Sequence, residues 1–351
     1  MGKTGWMRAI EYTRNGDADV LQLVERAARQ PGIGEIRVRI IESGVNPTDW
    51  KSRRGDGSGA ALPEPQVPGQ DGSGVVDAVG PGITEFLPGD RVWLWEAAYQ
   101  RGDGTTQELA IVPVERAVEL PDGVSFEVGA SIGVPALTAH RALTARETGP
   151  AKLSRDSLRA IVVLVAGGAG AVGHAAIQLA VWAGATVVTT VSSAEKAALA
   201  SAAGAHHVID YRTEDVRERL RSIAPDGADI IVEVNAVANL ELDVELLAAQ
   251  GTIAIYAGNP GDSPAIPIRA AMAKSARLQF LLTYVTTAEQ KRAAVAAVTD
   301  ALRDGVLGVG TEFGLPIIRF PLDRAADAHR AVENNATGKV LIDVAAPGEA
   351  G

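Results

Sequence analysis

The run Val162-Val163-Leu164-Val165-Ala166, followed by Gly167-Gly168-Ala169-Gly170-Ala171-Val172-Gly173, limits the fold more than any other stretch of the chain. Five apolar residues in a row suit a strand covered on both faces of a parallel sheet. The glycines permit a sharp turn and a close backbone approach to a ligand. Small and apolar residues at helical spacing follow, from His174 to Ala180. Strand, glycine turn and helix N-terminus together make a seat for the pyrophosphate of a dinucleotide. A tight strand–helix turn in an unrelated α/β protein would look similar, so the rest of the chain has to decide.

It decides by alternation. Strands are expected at 160–166, 186–191, 207–210, 229–234 and 252–257, with helices at 171–183, 194–203, 213–223 and 240–249 between them. That rhythm predicts a doubly wound parallel sheet. An apolar extended run at 278–285 and a helix at 288–304, stopped by Gly305, follow. Ahead of it lie short β segments at 8–13, 35–43, 74–79, 90–94 and 107–112, punctuated by Gly, Pro and Asp. These predict a barrel-like or sandwich-like β domain. The Gly-, Ser- and Pro-rich stretch 50–68 reads as a disordered surface loop or a mobile lip over a site, and composition favours the loop. Ser125 and Thr138 each open a helical segment, with Pro135 between them. The tail reads as strands 317–321 and 340–344 around a helix 322–334.

The chain contains no cysteine, which removes disulfides, thiol nucleophiles, cysteine-ligated zinc and iron–sulfur clusters. A net charge of −10 argues against a nucleic-acid partner. No stretch has the length of a membrane span or the apolar core of a signal peptide, so a cytoplasmic protein with no membrane partner is expected.

The exit of the second βα strand separates NAD from NADP, because an acidic residue there binds the ribose 2′-hydroxyl and repels a 2′-phosphate. Here Ser192-Ser193-Ala194-Glu195-Lys196 occupies that place. Two hydroxyls and a lysine, with Tyr211 and Arg212 at the next strand exit, favour NADPH. The plain alternative is that Ser192 caps a helix and Lys196 is a solvated helix residue. Gly129-Ala130-Ser131-Ile132-Gly133 spells a hydrolase nucleophile elbow but lacks the buried strand that such a motif needs. Of the five histidines, adjacent His206 and His207 cannot share a metal, His174 packs on its helix or faces solvent, His329 is expected exposed, and His140 is expected to line the substrate cleft.

Further segments are Ser43-Gly44-Val45-Asn46-Pro47-Thr48-Asp49-Trp50-Lys51, Val67-Pro68-Gly69-Gln70-Asp71-Gly72, Pro88-Gly89-Asp90-Arg91-Val92, Gly133-Val134-Pro135-Ala136-Leu137-Thr138-Ala139-His140 and Ala336-Thr337-Gly338-Lys339-Val340. In this order, with the glycine turn, they make the chain resemble the zinc-free quinone oxidoreductases (zeta-crystallin-like) of the medium-chain dehydrogenase/reductase superfamily. The resemblance implies an α/β protein, a GroES-like β-barrel domain (1–133 and 288–351) carrying an inserted Rossmann doubly wound parallel-sheet domain (134–287). NADPH and substrate would occupy the cleft between them. Zinc-dependent relatives carry metal ligands at the positions of Asn46, Gln70 and Val134, which cannot form a catalytic zinc site.

The same resemblance puts the backbone of Ala169, Gly170, Ala171 and Val172 on the pyrophosphate, and Ser192, Ser193, Lys196 and Tyr211 around the 2′-phosphate. Asn46 and Thr138 would lie near the nicotinamide, with Ala257, Gly258, Asn259, Leu282, Thr283 and Tyr284 on its other side and Asn239 reaching the cofactor. Asn46 and Lys51 are the expected hydrogen-bond donors to a quinone substrate. An enone or enoyl double-bond reductase is the alternative, and a non-catalytic NADPH-binding redox sensor a further one. The apolar run 278–285 is expected to be a sheet edge covered by a second copy, in a homodimer or tetramer.

Overall fold

The computed structural model describes residues 5–345. In chain order it begins with β1 (Trp6–Arg14), β2 (Gln22–Ala27), β3 (Glu35–Val45), α1 (Pro47–Arg54), β4 (Ala61–Gln66), β5 (Asp71–Val79), β6 (Arg91–Leu94), β7 (Leu109–Pro113), β8 (Ala117–Glu119) and α2 (Phe126–Leu143). The βα series is β9 (Val162–Ala166), α3 (Ala171–Trp182), β10 (Thr186–Val191), α4 (Ala194–Ala202), β11 (His207–Asp210), α5 (Val216–Ile223), β12 (Ala228–Glu233), α6 (Ala236–Leu246), β13 (Leu247–Ile255), α7 (Ile268–Ala273), β14 (Arg277–Phe280) and α8 (Ala288–Arg303). The chain closes with β15 (Ile317–Pro321), α9 (Ala325–Glu333) and β16 (Lys339–Asp343).

Two compact units result: residues up to Val134 together with Ile317 onward, and Pro135–Pro316. The second boundary falls near 317 rather than 288. Side-chain bonds explain this, since α8 and the segment after it are tied into the second unit. Asp304 accepts from the Trp182 indole at 2.8 Å, Asp300 pairs with Lys152 at 2.7 Å, and Gln178 exchanges hydrogen bonds with Gly308.

In the first unit, β2-β1-β4 form one sheet and β15-β16-β3-β5-β6-β8 the path of another, with β7 also pairing β3. Strands far apart in the sequence meet there. Val340 to Asp343 run antiparallel to Val45 to Glu42, and Val340, Ile342, Leu322 and Ala325 share one core with Ile36, Val38 and Ile40. In the second unit all six strands are parallel, in the order β11-β10-β9-β12-β13-β14. Parallel neighbours need crossovers, which α3 to α7 supply, and Leu164, Val188, Ile209, Ile231 and Ile253 fill the sheet's core.

Several expectations need correction. The stretch 50–68 is not a loop: it carries the end of α1 and all of β4. β4 is an edge strand, where Pro63 and Pro65 are tolerated because one side needs no ladder donors. The helical segments at Ser125 and Thr138 are one helix, α2, running through Pro135. The elbow motif lies inside it, and Ser131 Oγ donates to the Glu127 carbonyl at 2.6 Å, as a helix hydroxyl does. His329 is 1% exposed, not solvated. His140 is equally buried; its Nε2 accepts the Leu153 N–H at 3.2 Å. Desolvation pushes its pKa down to about 4, so it is a neutral core histidine rather than a substrate contact.

Candidate active site

In the second unit the cofactor residues expected from sequence all follow the C-terminal ends of parallel strands or lie on the helices after them. The glycine turn follows β9, Ser192 and Ser193 follow β10, and Tyr211 follows β11. Asn239 lies on α6 after β12, Ala257 to Asn259 follow β13, and Leu282 to Tyr284 follow β14. Strand order reverses between β9 and β12, and ligands of open α/β sheets bind at such a switch point.

The turn is built for close backbone approach. Gly167 has φ +71°, and a Cβ on Gly173 would stand 2.4 Å from the Gly167 carbonyl oxygen. Gly170 is the N-cap of α3, so the first-turn amides have no acceptor within the helix and carry the positive dipole end.

At the exit of β10 the helix cap is Ser193, not Ser192. Ser193 Oγ accepts the Lys196 backbone N–H at 3.3 Å. Ser192 is left to pair with the Lys196 ammonium, Nζ to Oγ 3.3 Å. Tyr211, 53% exposed, stands at the end of the adjacent β11. Thr138 and Thr283, 145 residues apart, are joined through their hydroxyls at 2.6 Å. Asn239 Nδ2 donates to Glu233 Oε1 at 3.1 Å.

The first unit holds a buried polar cluster around Asn46, the N-cap of α1. Asp49, three residues on, accepts the Asn46 N–H at 2.7 Å and the Gln70 N–H at 3.1 Å. Asn46 Nδ2 donates to Asp71 Oδ2 at 2.8 Å, and Asn46 Oδ1 accepts from Lys339 Nζ at 2.8 Å. Asp71 also takes the Val134 N–H at 2.8 and 3.0 Å. Burial lifts both carboxyls, Asp49 to about 7 and Asp71 to about 6, with Lys339 opposing the rise at Asp71. Desolvation lowers the Lys339 ammonium, and Asp71 opposes that.

Of the expected donors, Asn46 has one Nδ2 hydrogen beyond the one given to Asp71. Lys51 is half-buried on α1, its Nζ 5.8 Å from the centre of the Trp50 ring. Gln70 Oε1 is buried and takes no donor from the protein. Among the described residues no group of three His, Cys, Asp or Glu side chains is placed to hold a metal ion. Likewise, no helix is long and apolar enough to cross a membrane. Sequence reading missed Asp49, Asp71 and Lys339 as site residues. Asp49 was detectable as the partner in an Asn-x-x-Asp capping pattern, whereas the Lys339 contact joins opposite ends of the chain.

Residues 171–300 match the family described as zinc-binding dehydrogenase, and residues 32–122 the alcohol dehydrogenase GroES-like domain. Human quinone oxidoreductase is 31% identical over 96% of this chain and 97% of its own length. The chain belongs to the quinone oxidoreductase family. As a member of that family it is an oxidoreductase, with the medium-chain dehydrogenase/reductase fold. The structure of mycobacterial Rv1454c complexed with NADPH superposes on this family member with a TM-score of 0.77 at 32% identity, covering 96% and 99% of the two chains. An NAD-dependent alcohol dehydrogenase superposes with 0.82 at 28% identity, covering 97% and 100%. Fold alone thus spans both cofactors within reach of this quinone oxidoreductase family member, and the side chains at the β10 exit must choose.

Proposed function

We propose that the chain reduces quinones with NADPH and without a metal ion. The observation that carries this is the Ser192–Lys196 pair at the exit of β10. An ammonium and a hydroxyl side by side fit a 2′-phosphate, where an acidic residue would repel it. Tyr211 and Arg212 add a flat ring and a guanidinium. The backbone of Ala169, Gly170, Ala171 and Val172 would hold the pyrophosphate. Thr138, Thr283, Asn239 and the backbone of Ala257, Gly258, Asn259, Leu282 and Tyr284 would border the nicotinamide half.

NADPH supplies a hydride when bound. The protein then has to orient the acceptor and stabilise the oxygen that gains charge. The remaining Asn46 Nδ2 hydrogen and Lys51 Nζ are the proposed donors to it. A reduced quinone delocalises its charge over the ring, so hydrogen bonds and water protons suffice. The metal-free reading rests on donor chemistry. Positions 46, 70 and 134 offer two carboxamides and an isopropyl group, and the Asn46 oxygen already receives an ammonium.

The test is NADPH oxidation by metal-stripped protein with 9,10-phenanthrenequinone, 1,4-benzoquinone and a set of enones. Quinone turnover that survives chelation is expected. Turnover of enones alone would make it a double-bond reductase, and NADPH binding without any oxidation a redox sensor. Activity lost to chelation and restored by zinc would refute the metal-free reading.

We also propose that two copies pair along β14. It is the last strand of its sheet, and Phe280, Leu282 and Val285 in and after it are 63%, 55% and 68% exposed. An open strand edge with apolar neighbours calls for cover. Sedimentation at micromolar concentration is expected to give a dimer, and a monomer would rule the pairing out.

A further inference from the structure

The C-terminal end of β12 carries a group that the proposed chemistry does not use. Glu233, with no exposed surface, sits on the strand beside β9 at the point where the sheet order reverses. Its Oε1 accepts the Asn235 N–H and the Asn239 side-chain amide. Asn239 and Asp243 lie four residues apart on α6, hence on one helix face, and both reach Glu233. Asp243 is 3% exposed, and its carboxyl faces that of Glu233. Neither Glu233 Oε2 nor Asp243 Oδ2 receives a donor from elsewhere in the protein.

Two ionised carboxylates have only acceptors to offer each other. A hydrogen bond between them needs a proton, and their like charges, buried together, favour keeping one. Burial pushes the Asp243 carboxyl up to about 9, with the Glu233 charge adding to it. The Tyr256 phenol also faces Glu233, and burial and the same charge push it upward. It stays neutral over the working range.

The position of the pair gives it a consequence. Its single negative charge fixes the Asn235 amide and the Asn239 carboxamide, and so the loop between β12 and α6. That loop abuts the glycine turn: Val234 Cγ1 would be 3.4 Å from a Cβ on Gly167.

We propose that Glu233 and Asp243 share one proton and act as a positioning pair for the dinucleotide site, coupling cofactor affinity to that proton. This rests on the cofactor reading above. Loss of the proton would place two charges beneath a site that must accept phosphates, and would push the α6 carboxylate away from Glu233. Asp243→Asn keeps a donor toward Glu233 and has no proton to lose.

Titrations of NADPH and NADH between pH 7 and pH 10, followed by cofactor fluorescence, read the coupling. For wild type both dissociation constants are expected to rise by up to about tenfold per pH unit above about 9. In Asp243→Asn that rise should be absent.

Melting without cofactor gives a second readout. An acid whose folded pKa is raised stabilises the fold fully below its unfolded pKa and loses that contribution as pH rises through the folded value. The melting temperature of Asp243→Asn should therefore gain on wild type steadily from pH 5 to pH 9. A wild-type constant flat to pH 10, or the same rise in the variant, overturns the coupling; a constant melting difference overturns the shared proton. If NADPH fails to bind at pH 7, the cofactor reading is what fails, and the melting comparison still judges the shared proton.

Discussion

Replacing Lys339 by methionine is expected to destabilise the first unit by about 3–5 kcal/mol, the usual cost of removing one partner from a buried ion pair. The side chain is 1% exposed and Asp71 has no exposed surface. Lys339 Nζ donates to Asn46 Oδ1 at 2.8 Å and the Val45 carbonyl at 3.4 Å, and stands 3.9 Å from Asp71 Oδ2. Methionine fills similar volume, so the loss comes from charge and hydrogen bonding rather than from a cavity. The pH dependence separates the two causes. Asp71 already has its pKa raised to about 6, and without the ammonium it rises further, so the variant carries a carboxylate that prefers to be neutral. Its stability deficit should level off below about pH 6, where the folded carboxyl is protonated in both proteins, and grow as pH rises above it. Urea melts at pH 5 and pH 8 measure this, and Lys339→Met with Asp71→Asn should recover part of the loss at pH 8. A deficit independent of pH, unrelieved by the second change, would mean that packing alone was lost.

That cluster also marks where reading the sequence stops. Patterns within a few residues were legible: the apolar run and glycines that became β9 and its turn, the βα rhythm, and the hydroxyls and lysine after β10. Each is a local consequence of chain geometry. The pairing of Asn46 with Lys339 spans 293 residues, and no spacing rule reaches that far. His140 and His329 failed for a related reason. The charges of its helix suggest an exposed His329, and the place of His140 two residues after Thr138 suggests a cleft contact, whereas the burial of each depends on which helix face meets a core. β4 was hidden by composition, because its prolines and polar residues suit an edge strand as well as a loop. The Glu233–Asp243 contact was half visible as the i, i+4 spacing of Asn239 and Asp243, but its partner comes from the preceding strand.

The claim on which the functional account depends is that the β10 exit selects NADPH. Ser192→Ala with Lys196→Ala leaves the Ser193 cap of α4 in place, so the helix should persist while the phosphate partners go. A hydrogen bond to a charged group contributes about 1.5–3 kcal/mol. The double variant should therefore bind NADPH about 10–100-fold more weakly and hold NADH within about threefold of wild type. The direct measurement is kcat/KM for quinone-dependent oxidation of NADPH and of NADH by wild type and double variant. Wild type should prefer NADPH strongly, and the variant should lose that preference through NADPH alone. Equal losses for both cofactors, or a wild type that favours NADH, would contradict it.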